Sequence, residues 1–303
     1  MSKIAVIGSS NTDMVIKTAR LPAPGETVLG GQFLMNPGGK GANQAVAAAK
    51  LGGDVVFVAK VGDDIFGHEA VEGFKREGIN TEYIAVDPDN PSGVATITVD
   101  EQGENCIAVA SGANSSLGPA DIDSAATQIE AASVLLMQLE TPVGTVKHAA
   151  LLGKKTAKTV ILNPAPAQPL SDELLAQLDV ITPNETEAEI LTGIKVQTEH
   201  DAEEAARALR DKGVGAVIIT LGSKGAFVLS ESFLGLVPPP KVEPVDTTAA
   251  GDTFNGALAV GLAAGRTIED AVVFANKAAA ISVTRLGAQA STPTLEELEK
   301  SEC

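Results

Sequence analysis

Lys3-Ile4-Ala5-Val6-Ile7-Gly8-Ser9-Ser10-Asn11-Thr12-Asp13 carries four apolar residues in succession and turns polar just after Gly8. An apolar run without period-two alternation fits a strand covered on both faces, as in a parallel sheet between layers of helix. Similar runs recur at 55–59, 134–137, 160–162, 180–181 and 216–219. Helical patterns lie between them. Ala42, Ala45, Val46 and Ala49 fall at i, i+3, i+4 and i+7, and further helices are expected over 201–212 and 268–282. This alternation predicts an α/β fold, a doubly wound and mostly parallel sheet flanked by helices. The length of 303 residues suits one large domain, and we read 1–303 as a single unit.

Polar residues follow the apolar runs: 9–13 after the first, Gln138 and Glu140 after Met137, Asn163 after Leu162, Asn184 after Ile181, and Thr220 and Gly222 after Ile219. Any one could be a mere cap or turn residue. Their recurrence along one edge points to a binding site, because open α/β sheets bind ligands beyond the carboxyl ends of their strands. Two segments, about 14–35 and 82–110, break the alternation and contain period-two stretches such as Val94-Ala95-Thr96-Ile97-Thr98-Val99. We expect a small β-sheet lid with one apolar face, able to cover a ligand and to pair with a second copy. Two unrelated surface hairpins are the alternative.

The formal net charge of -17 argues against a general affinity for nucleic acid or anionic membrane, so any bound phosphate must be held locally. No run of 18 apolar residues occurs, and the chain enters strand-like sequence without the pattern of a signal peptide, so a cytoplasmic protein is expected. Cys106, Cys303, His68, His148 and His200 are scattered without the spacing of a metal site. Gly38-Gly39-Lys40-Gly41 has the wrong spacing for a Walker loop, and no Gly-x-Gly-x-x-Gly follows the first strand. Phosphate must find another cradle.

Asp246-Thr247-Thr248-Ala249-Ala250-Gly251-Asp252-Thr253-Phe254-Asn255-Gly256 supplies one. Phe254, Ala257, Leu258, Gly261 and Leu262 form one helical face, so a helix begins near Ala250. Its first amides lack intrahelical partners and make an anion site. Asp252 could there take a proton from an attacking hydroxyl, or be an ordinary first-turn acid. A carboxylate beside an anion site calls for positive charge, such as a divalent metal on a nucleotide. In Thr182-Pro183-Asn184-Glu185-Thr186-Glu187, Glu187 could serve magnesium through water, or Asn184 and Glu187 could be only a capping pair. Gly38-Gly39 permits close backbone approach, or marks a turn, and Asn43, Asn11 and Asp13 offer hydrogen bonds to a polyol.

The segments 38–45 and 246–252, with Asn11-Thr12-Asp13 and Gln138-Leu139-Glu140, resemble the ribokinase family of carbohydrate kinases over nearly the whole chain. The resemblance implies phosphoryl transfer from ATP to O5 of D-ribose, with magnesium required, potassium as activator, and a homodimer formed through the lid. By that likeness Asn11, Asp13, Gly39, Lys40, Asn43 and Glu140 hold the sugar, with Thr12, Gly38, Gly41 and Ala42 alongside. Asp252 removes the proton, and Ala249, Ala250 and Gly251 supply the anion hole. ATP would meet Asn184, Thr220, Leu221, Gly222, Ser223, Lys224, Gly225, Gly251, Asp252 and Asn276. Potassium would use Asp246, Thr248, Ser282, Arg285, Gly287 and Ser291, several through carbonyl oxygens. Many members of the family have glycine in place of Ala249; alanine is expected to be tolerated unless the backbone there takes an unusual angle. A kinase for 2-deoxyribose, another sugar or a nucleoside is the alternative. A silent sugar sensor on the same fold would not need Asp252.

Overall fold

Lys3–Ile7 forms strand β1, and its four apolar residues are all fully buried in the computed structural model, which describes residues 3–156 and 158–301. Cys303 lies outside the described residues. Ile4 and Val6 enter one core and Ala5 and Ile7 the opposite one. Full burial contributes about 1.5–3 kcal/mol for each large aliphatic side chain, so coverage on both faces fixes the strand.

The main sheet comprises β1, β4 (Asp54–Gly62), β5 (Ile84–Asp87), β8 (Val134–Met137), β9 (Thr159–Leu162), β10 (Val180–Ile181), β11 (Ala216–Thr220), β12 (Ala226–Leu229) and β13 (Leu234–Val237). Its order is β13-β12-β11-β10-β9-β8-β1-β4-β5, parallel from β11 to β5 and antiparallel at β12 and β13. One face is covered by α1 (Lys40–Lys50), α2 (Ile65–Arg76), α9 (Ala250–Ala263), α10 (Ile268–Ser282) and α11 (Leu295–Lys300). The other is covered by α3 (Pro119–Ser124), α4 (Ala126–Ala131), α5 (Val143–Lys155), α6 (Asp172–Leu175), α7 (Glu185–Thr192) and α8 (Glu199–Asp211). This is the doubly wound sheet read from the apolar runs. The antiparallel hairpin β12–β13 extends the sheet beyond the apolar runs, the last of which is 216–219.

A separate sheet contains β2 (Asn11–Lys17), β3 (Gln32–Gly38), β6 (Gly93–Val99) and β7 (Asn105–Ala110), in the order β3-β2-β6-β7. It is smaller than the second segment suggested, because residues 84–87 pair with β4 and bury Ile84 in the main core. Asn11, Asp13 and Val15 oppose Gly38, Asn36 and Leu34 on one face, and Met14 and Ile16 oppose Met35 and Phe33 on the other. Both faces expose apolar side chains, Ile107 and Val109 on the first and Ile16, Phe33 and Met35 on the second.

Candidate active site

The helix α9 starts at Ala250, with Ala249 as its N-cap at φ 57° and ψ 18°. Ala249 is the one non-glycine residue with positive φ among the described residues. This is the unusual angle that would matter, since a Cβ in that region costs about 1–2 kcal/mol. The Ala250 N–H departs from the expected anion hole by donating to Thr247 O at 3.2 Å. The N–H groups of Ala249, Gly251 and Asp252 find no acceptor among the described residues, and a Cβ on Gly251 would meet nothing within 4 Å. Three free amides thus stand at the positive end of a helix dipole, with space for an anion.

One turn beyond Asp252 in the same helix, Gly256 lets α9 lie against α1; a Cβ there would fall 2.6 Å from Ala47 Cβ and 2.8 Å from Gln44 O. That crossing brings Asp252 to Asn43 and Gln44. Asn43 Nδ2 donates to Asp252 Oδ2 at 3.0 Å and Gln44 Nε2 donates to Oδ1 at 2.9 Å. Burial pushes the Asp252 carboxyl above its ordinary value, with Glu140 adding to the rise and Lys40, Asn43 and Gln44 opposing it. Burial alone would lower the Lys40 ammonium, but Asp252, Glu140, Glu187 and Asp13 outweigh it and hold the group charged.

The sugar-side residues converge on Lys40. Glu140 Oε2 accepts from Ser9 Oγ at 2.5 Å and from Lys40 N at 3.0 Å. Asp13 is pushed up to about 6, first by burial and then by Glu140 and Asp252. Gly38 makes room for it, because a Cβ would lie 2.2 Å from the Asp13 carboxylate. Gly39, at φ 90°, and Gly41 first permit close packing on the protein's own chain at residues 8–11. Asn11 Oδ1 accepts from Asn114 Nδ2 at 2.8 Å, which leaves the Asn11 amino group to donate elsewhere. Two predicted residues stand apart: Thr12 belongs to the opposite lid face from Asp13, and Ala42 is a core residue whose N–H donates to Ser9 O.

Asn184 and Glu187 form a reciprocal capping box on α7, Asn184 Oδ1 accepting Glu187 N and Glu187 Oε2 accepting Asn184 N. Burial raises the Glu187 carboxyl, while the Asn184 N–H and Lys40 lower it. Thr220 pairs with Asn184 across the strand ends, and Leu221, Gly222, Ser223, Lys224 and Gly225 form the turn that follows β11. Leu221 and Lys224 line a cleft of about 160 Å³ with Val196, Gln197 and Leu236. Asn276 donates to Val237 O at 2.9 Å. In the expected potassium loop the Asp246 carboxylate accepts from Thr248 N and Gly287 N, both at 2.9 Å. Ser282 and Ser291 hydroxyls bond to Ala279 O and Ala288 O, and Arg285 pairs with Glu297.

The pfkB family of carbohydrate kinases matches the chain over residues 1–295. The chain belongs to that family. A ribokinase of Haemophilus influenzae is 48% identical over 294 residues, 97% of this chain and 96% of that one. A deoxyribokinase of Salmonella typhi is 43% identical over 298 residues, 98% and 97% of the two chains. The structure of Arabidopsis thaliana ribokinase complexed with ribose and ATP superposes with a TM-score of 0.91 at 32% identity, covering 99% of this chain and 98% of that one.

In this kinase, then, the carboxylate, the free amides and the polar wall share one strand edge. Gln44, one residue beyond Asn43, and Asn114, in a short 3-10 turn after β7, also support the site, although no motif in the sequence assigns them a role. Gln138 and Asn163 are legible from sequence only as polar residues at strand ends. Their signal was weak because burial of an amide depends on helices far apart in the chain.

Proposed function

We propose that the kinase transfers the γ-phosphoryl group of ATP to O5 of D-ribose, giving ADP and ribose 5-phosphate, with Asp252 as general base. The observation that carries this reading is the position of Asp252. A buried carboxylate gripped by two amide donors lies at the helix end whose Ala249, Gly251 and Asp252 amides are free. Asp252 accepts the hydroxyl proton as the sugar oxygen bonds to phosphorus, and the amides offset the charge on the migrating group. Asn11, Asp13, Asn43 and Glu140 orient the polyol, and Lys40 balances the surrounding carboxylates. Ribose is the favoured substrate because relatives at up to 48% identity are named ribokinases. The reaction belongs in the cytoplasm, where ATP is supplied.

Glu187 fits a magnesium role through water, since its Oε1 accepts no hydrogen bond among the described residues. Magnesium on the nucleotide would neutralise phosphate charge. For potassium, the carbonyl oxygens of Asp246, Thr248, Arg285 and Gly287 accept no hydrogen bond among the described residues, a donor set suited to a hard cation. A homodimer through the lid is supported by its exposed apolar faces.

A second substrate, 2-deoxyribose, is favoured by the 43% identical deoxyribokinase. ADP release with ribose, 2-deoxyribose, fructose and adenosine separates the readings, with highest kcat/KM expected on ribose; higher efficiency on another acceptor replaces ribose by it. Asp252→Asn should lower kcat by at least about a hundredfold while ribose still binds. Near-normal turnover would exclude Asp252 as the base.

A further inference from the structure

Beneath Asp252 runs a chain of buried amides. Gln138 Nε2 donates to Gln44 Oε1 at 2.6 Å, and Gln44 Nε2 donates both to Asp252 Oδ1 at 2.9 Å and to Asn163 Oδ1 at 3.0 Å. Asn163 Nδ2 then donates to Thr182 O at 3.2 Å. Gln44, Gln138 and Asn163 are all buried. Each link has a direction. Thr182 O can only accept, so it fixes Asn163 with its oxygen toward Gln44, and Gln138 claims the oxygen of Gln44. A flipped Gln44 would set its oxygen against two acceptors, one of them a carboxylate.

The other oxygen of Asp252 has a different partner. Oδ2 accepts from Asn43, whose own Oδ1 accepts from the half-buried Gln289 at 3.1 Å. Asn43 belongs to the sugar wall and can exchange this bond for one to a hydroxyl.

We propose that Gln44 is a positioning residue that pins Oδ1 of Asp252 and thereby makes Oδ2 the proton-accepting oxygen, with Gln138 and Asn163 holding the Gln44 amide in direction. The inference rests on the reading of Asp252 as the base of a sugar kinase. In the step, the sugar O–H bond breaks, its oxygen bonds to the γ-phosphorus, the proton passes to Oδ2, and ADP leaves with the electron pair of the cleaved P–O bond. Gln44 donates throughout, and a dipole fixed in advance needs no reorganisation. Lys40, Glu140, Glu187 and Asp13 are the charged groups around Asp252, and all remain in the variants below.

Gln44→Met keeps the volume and removes the donor; Gln138→Met leaves Gln44 and its bond to Asp252 in place but takes the donor away from Gln44 Oε1, which loosens one of the holds on its direction. With ATP and ribose, Gln44→Met should lose about ten- to a hundredfold in kcat, with the ribose Kd from calorimetry within about threefold of the parent. The acid limb of kcat should move up by about one pH unit, because the base has lost a donor. Gln138→Met should change kcat and the limb in the same sense by less, and it carries the test if Gln44→Met does not melt cooperatively. An active parent with parent-like kcat and limb in a folded variant overturns the inference alone. A parent that phosphorylates no sugar overturns the functional reading with it.

Discussion

Ala249 keeps its side chain in a left-handed backbone region at φ 57°, at the mouth of the anion site. Ala249→Gly should therefore stabilise the protein by about 1 kcal/mol, or about 2 °C in Tm by differential scanning calorimetry; an unchanged or lower Tm would show the strain to be absent. Asp13 carries a second local cost. Its carboxyl is raised to about 6, so the folded state binds its proton more tightly than the unfolded chain. That contribution is fully present below the ordinary carboxylate range and is lost as the pH rises toward 6. Asp13→Asn should accordingly raise Tm more at about pH 7.5 than at about pH 4, while weakening ribose binding; equal gains at both values would contradict it. The polar identities of Asp13, Asn43 and Asp252 were readable, because strand ends and helix starts are local features. The partner of Oδ1 was not. Gln44 reaches it through a contact between residues 208 apart in sequence.

At the level of elements, the register of α1 on α9 decides where Asp252 sits. Gly256→Ala would press a Cβ into Ala47 and the Gln44 carbonyl, so the helices must separate or tilt. We expect a loss of about 1–3 kcal/mol in urea unfolding together with a fall in kcat; parent-like values of both would mean that the crossing has slack. The central strands and α1, α9 and α10 were legible because full burial and the 3.6-residue period are written directly in apolar spacing. Residues 84–87 and the β12–β13 hairpin were not, since short runs such as Ile84-Ala85-Val86 suit either sheet until a neighbouring strand edge selects them.

For the whole molecule, the lid exposes Phe33 and Met35 on one face and Ile107 and Val109 on the other, more apolar surface than a lone four-stranded sheet comfortably shows to water. If the lid joins two copies, size-exclusion chromatography with light scattering should give about twice the 30.8 kDa chain mass, and Ile107→Glu or Phe33→Asp should return it to one. A parent that runs at one chain mass would rule the dimer out. The lid is also connected to the rest of the fold by four separate passages of chain, at residues 8–10, 39, 88–92 and 111. It is therefore moored to the rest of the fold at four points. A single break of the chain between residues 18 and 31 would leave both pieces paired through β2 and β3 and each still rooted in the main sheet, so that loop is where a new pair of chain ends could be opened without casting the lid adrift.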